Sequence, residues 1–193
     1  GVFQIGPDDV IDLARLRRYS PEQMRRRHVQ PGDLQWSARA LLDFALPGGG
    51  AELAPVAGWG MTQDRNHVPP VGEPHALSLE WMRAAPGQGV LQHRLDCPQV
   101  LIVKDGQWEL QVDDGSCAST LQLGPWDVVS VPAQTWRQLR NVGATTGLMV
   151  VLNGGDARKR PRWHPDVADA AQGRGWGLDA SGYVAPSHLL PTT

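Results

Sequence analysis

From residue 76 to residue 153, short β-rich runs recur: 76–83, where apolar and polar positions alternate, then 90–95, 99–104, 108–113, 120–123, 127–131, 136–141 and 148–152. Strict alternation puts one face of a segment against a core and the other toward water, and this spacing of short strands is that of sandwiches and barrels. Asp105-Gly106 and Asp114-Gly115 fall between runs and predict turns, because glycine takes the positive φ that such turns demand. Upstream, 38–46 and 52–61 read as two more strands joined by a mobile loop at Pro47-Gly48-Gly49-Gly50, while 66–75, rich in proline and glycine, predicts a surface loop. The ends follow a different period. Residues 8–18 carry Val10, Ile11, Leu13 and Leu16 in a loosely helical pattern, and Ser20-Pro21-Glu22-Gln23 supplies an N-cap, a first-position proline and a capping-box glutamine for a short helix ending near His28. His164-Pro165 precedes a helix over 166–172 that Gly173 stops, and beyond Gly182 the pattern predicts an extended arm. The class is all-β with short terminal helices.

Length and charge narrow the partners. A chain of 193 residues with 41% hydrophobic residues fits one domain with a sizeable core. The net charge of -2 and the lack of a basic stretch longer than Arg25-Arg26-Arg27, read as a solvated helix face, give no footprint for nucleic acid or a membrane surface. A small molecule is the expected partner. Cys97 and Cys117 are too few for a disulfide scaffold, so a reduced, cytoplasmic setting is expected. No apolar run approaches the roughly 20 residues of a membrane span, and the amino end shows no apolar signal-like core. The eight tryptophans beside two tyrosines and two phenylalanines are a bias for which the sequence alone offers no reason.

Residues 87–141 carry a more specific pattern. Gly87, His93, Gln99 and Gly106 stand at one set of intervals; Asp127, Pro132 and Asn141 stand at a second, with Trp126 and Gln134 at two places where glycine would be expected and Arg137 where histidine would be. This framework resembles the two short motifs of the cupin family, and the phrase from Leu123 to Pro132 with Arg137 after it is similar to a subgroup of bacterial cupin-domain proteins of undefined activity. The resemblance implies a cupin barrel, a double-stranded β-helix or jelly roll, over 38–155. A helical N-terminal arm over 1–37 and a C-terminal helix and tail over 156–193 would flank it, and the fold would form a homodimer.

Metal-bearing cupins converge three imidazoles and one carboxylate inside the barrel. Of those places this chain keeps His93; Leu95 donates nothing, Gln99 offers a neutral amide oxygen, and Arg137 is a cation that repels a divalent ion. The expectation is therefore a site without metal or other cofactor. Arg137 would anchor a small anionic ligand, an aromatic one where the tryptophans line the cavity; Gln99 would orient it, Leu95 and Trp108 would line the pocket, and His93 would move a proton near neutral pH. Structural roles stand beside these: Arg137 tied to a nearby carbonyl or acid, Trp108, Trp126 and Trp136 as core or dimer contacts, His67 and His75 as surface residues, Cys97 as a plain thiol. Three functions follow from the resemblance: a metal-independent isomerase, decarboxylase or lyase; a metal-dependent dioxygenase in which His67, His75, Asp96 or Cys97 completes a site for one divalent ion such as iron; or a non-catalytic binding or assembly protein.

Overall fold

A computed structural model describes residues 18–73, 76–113, 115–155 and 157–192. The helix expected over 8–18 lies outside them except for Arg18. Nine strands build the body: β1 (Glu52–Ala57), β2 (Leu77–Ala84), β3 (Gly89–Arg94), β4 (Gln99–Asp105), β5 (Trp108–Asp113), β6 (Ala118–Leu123), β7 (Val128–Val131), β8 (Trp136–Asn141) and β9 (Gly147–Gly154). A tenth, β10 (Arg162–Trp163), joins one edge. They form two antiparallel sheets ordered β1-β2-β9-β4-β7 and β10-β3-β8-β5-β6. β5 pairs with β6, β4 with β7, β3 with β8 and β2 with β9, and successive pairs go to alternate sheets. That nesting is a rolled-up hairpin, the jelly-roll topology that the strand rhythm predicts.

The alternation read over 76–83 is the burial observed in β2, while β6 is exposed except at Leu123. β2 and β9 bury every second residue, and Met82, Val90, Leu101, Leu110, Met149 and Val151 meet between the sheets. The Asp105-Gly106 turn holds, with Gly106 at φ +94° between β4 and β5, while Asp114 of the second expected turn lies outside the described residues. Residues 38–46 depart from the prediction. They form no strand but a 3₁₀ turn at Leu42–Ala45, fastened by side chains: Gln63 accepts from the Leu42 N–H and buried Asp43 accepts from the Leu91 N–H, both at 2.8 Å. A short apolar run cannot by its period separate a buried turn from a strand.

At the amino end, α1 (Pro21–Arg25) carries the capping box on Ser20 and buries no residue. At the other end, α2 (Pro165–Gly173) starts at His164 and buries Val167 and Ala171, one turn apart on one face. The segment beyond Gly182 is no free arm. It returns as β12 (Val184–Pro186) against β11 (Trp176–Leu178), and with α2, Leu42 and Leu46 it forms a second apolar cluster outside the sandwich. No helix among the described residues is long and apolar enough to cross a membrane.

Candidate functional site

The inward faces of β3, β8, β4, β9 and β2 carry a row of polar side chains. His93 stands opposite Arg137 in the β3–β8 register, Gln99 opposite Asn153 in the β4–β9 register, and Asn153 opposite Ser78, two residues from Glu80 on the same face of β2. All are buried, Arg137 to 2% exposure and His93 to 3%. Hydrogen bonds join them into a relay. The Arg137 guanidinium donates to the Pro132 carbonyl at 3.0 Å and to Gln99 Oε1 at 3.4 Å; Gln99 Nε2 donates to Asn153 Oδ1 at 2.9 Å; Asn153 Nδ2 donates to Glu80 Oε1 at 3.1 Å. Glu80 also accepts from the Met61 N–H. Arg137 Nε finds no protein partner.

Burial sets the charge states along this row. It pushes the Glu80 carboxyl up to about 7, against the pull of its Met61 and Asn153 bonds. It draws Arg137 down to about 10, still protonated at neutral pH. It pushes His93 down to about 4, with the neighbouring Arg137 charge adding to the drop and the Leu91 carbonyl opposing it. His93 is therefore a neutral imidazole, with Nδ1 as the donor to Leu91 O at 2.8 Å and Nε2 as an acceptor. The expectation of proton transfer near neutral pH does not fit that environment.

Of the predicted site residues, His93, Gln99 and Arg137 come together around one internal cavity, whose volume is about 10 Å³. Such a space takes one solvent-sized particle and no organic molecule. Leu95 and Trp108 do not line it. Both are fully buried in the core between the sheets, and the Trp108 indole N–H donates to the Asp105 carbonyl at 3.1 Å. His67, expected at the surface, is buried and bonded to Thr62 and to the Gln35 carbonyl, while His75 lies outside the described residues. Cys97 is half-buried, its thiol pushed up by burial, and Cys117 is exposed.

Sequence reasoning missed the larger site. A groove of about 840 Å³ lies between the β10 edge of the second sheet and the returning C-terminal segment. Trp136, Trp163 and Trp176 line it, which gives three of the eight tryptophans a common place. Arg94, on the face of β3 opposite to His93, also lines it; its guanidinium lies 5.1 Å from the Trp136 ring and its buried Nε lacks a protein partner. Ser187 contributes a buried hydroxyl that is likewise without one. Trp163 separates this groove from the interior, its ring 5.6 Å from the His93 imidazole. The available signal was the clustering of tryptophans at 136, 163 and 176, but the fold needed to bring them together is not written in their spacing.

The backbone preserves the two glycine places even where glycine is gone. Trp126 has φ +69° and Gln134 φ +65°, the left-handed region glycine adopts freely and bulky residues rarely. Motif places, strand pairing and inward row thus coincide. The fold is an antiparallel jelly roll. Comparison with protein-family models finds no match, and comparison with curated proteins finds none. Solved structures that this fold overlays in part include the vicilin of hazelnut (Corylus avellana), at 15% identity and a TM-score of 0.43 over 46% of this chain and 25% of that one. An oxalate oxidase gives 19% identity and a TM-score of 0.43 over 47% of each chain. Oxalate decarboxylase from Bacillus subtilis gives 16% and 0.41 over 43% of this chain and 22% of its own. The chain therefore spans about half or less of the length of each.

A metal does not suit this interior. Among the described residues no three His, Cys, Asp or Glu side chains gather closely enough to hold an ion. At the motif places, Gln99 already spends its oxygen on Arg137 and its nitrogen on Asn153, and the guanidinium occupies the space beside the single imidazole. A divalent cation there would face a fixed positive charge and one neutral donor.

Proposed function

We propose that this chain is a binding protein for a small organic acid with a flat apolar body, and that the ligand lies in the tryptophan-lined groove at the β10 edge, not inside the barrel. The observation that carries the reading is the groove itself: a volume of about 840 Å³, three indole walls and a guanidinium with an unpartnered buried Nε. Ligand pockets commonly have that size and that mixture of apolar lining with a few placed polar groups. Indole faces stack against a planar body, and the Arg94 fork takes a carboxylate through charge-assisted hydrogen bonds. Ser187 adds a hydroxyl that can donate to the same group. The interior has no room for such a molecule.

Binding without chemistry is the better reading because the described residues lining the groove include no carboxylate, imidazole, thiol or amine to act as acid, base or nucleophile. His93 lies behind Trp163, buried and neutral. Calorimetric titration with phenylacetate and with uncharged phenylacetamide tests the proposal. Wild type should prefer the acid. Arg94→Gln should lose that preference by about 10- to 100-fold, the worth of a charged hydrogen bond, while Trp136→Ala weakens both probes. An Arg94→Gln protein that still distinguishes acid from amide would refute the anchor, and a wild type that binds neither would refute the groove.

A further inference from the structure

We infer that the barrel interior holds a single monoatomic anion, a halide of chloride size, against Arg137. This goes beyond the groove and does not depend on it. The guanidinium has five N–H donors, is 2% exposed, and makes protein hydrogen bonds to Gln99 Oε1 and the Pro132 carbonyl, neither of them charged. Nε has no partner. Among the described residues no carboxylate pairs with it, whereas the arginine-carboxylate pairs found there lie at the surface or half-buried. Its nearest acid along the relay is Glu80, two amide side chains away.

A buried cation without a counter-charge costs several kcal/mol. The space beside it selects what can compensate. The cavity of about 10 Å³ admits one solvent-sized particle, and its walls are mostly apolar, from Met61, Leu101 and Leu139. A carboxylate or phosphate does not fit. Water fits, and can bridge Arg137 Nε to the accepting Nε2 of His93, but it leaves the charge unbalanced. A halide takes the free N–H through a charge-assisted hydrogen bond and neutralises the guanidinium, which a water cannot do. In this barrel the site where related motifs would gather cation ligands has become an anion site.

Crystals of the full chain grown without halide and soaked in sodium bromide test this by anomalous diffraction. The expected result is a bromide peak in the cavity within hydrogen-bonding distance of Arg137 Nε. A water bridging Arg137 and His93, or bromide at surface sites alone, overturns it. In solution, the thermal midpoint of wild type should rise with each tenfold of bromide over gluconate at equal ionic strength, and that of Arg137→Met should not. An equal response of the two proteins overturns the inference, and should Arg137→Met fail to fold, the wild-type diffraction result decides by itself.

Discussion

At the residue scale, Glu80 shows how far burial can outweigh hydrogen bonding. Its carboxyl receives donors from Met61 and Asn153, yet burial raises it from 4.5 to about 7. Buried Asp43 behaves alike, from 3.8 to about 7, and His93 moves the opposite way, from 6.5 to about 4. Between about pH 4.5 and 7 the unfolded chain has released the two carboxyl protons that the folded chain keeps, so each acid makes stability fall as pH rises. His93 opposes them, since the unfolded imidazole holds a proton below 6.5 that the folded one refuses. Burial draws His67 down too, so two acids stand against two imidazoles, and Glu80 alone contributes about 3 kcal/mol to the decline toward neutral pH at 1.36 kcal/mol per pH unit. Thermal midpoints measured from pH 5 to 7.5 should fall for wild type and fall less for Glu80→Gln; parallel curves would contradict the assignment. None of this was legible in the sequence. A glutamate in an alternating strand looks like a solvent-facing residue until Asn153 and Gln99 are known to stand beside it.

At the element scale, the strands from β2 to β9 were legible almost residue by residue, because short β-rich runs and turn glycines agree along the stretch. Segment 38–46 was not. Its shape is set by Gln63, Asp43 and Leu91, partners distant in sequence, and by no period of its own. Leu95 and Trp108 misled for a related reason: motif spacing fixes a strand and its face but not which inward residues reach the cavity and which fill the core. Two neighbouring glycines separate the kinds of information a motif carries. Gly87, the motif glycine, sits at φ +79° with nothing near the place of a Cβ, so it answers to backbone conformation alone. Gly89 lies where β3 crowds β8, and a Cβ there would stand 1.9 Å from the Leu139 carbonyl oxygen. Gly87→Ala should therefore cost about 1 kcal/mol, the usual penalty of a left-handed alanine. Gly89→Ala should cost about 3 kcal/mol or more, since backbone must shift to admit it. Urea unfolding of the two variants gives the comparison, and equal losses would show that β3 and β8 can part without cost.

At the scale of the whole molecule, two apolar clusters do different work. The first fills the sandwich; the second, around Leu42, Leu46, Val167 and Ala171, fastens the C-terminal segment that closes the groove. A charge placed in the second should therefore remove binding and spare the barrel. Ala171 is 1% exposed on the inner face of α2, so Ala171→Asp buries a carboxylate with no basic side chain on that face to meet it. The α2 contact gives way before the sandwich does, because the sandwich's strand pairing and core do not include it. The β signal in circular dichroism and the main unfolding transition should stay close to wild type, limited proteolysis should begin within 157–192, and phenylacetate binding should vanish. Loss of the β signal in Ala171→Asp would mean that the two clusters fold as one unit, and retained binding would move the ligand away from the groove. The test also bears on the tryptophan bias, since Trp136 belongs to the sandwich while Trp163 and Trp176 pack against the second cluster. Only when both parts are in place do these indoles face one another across a common space.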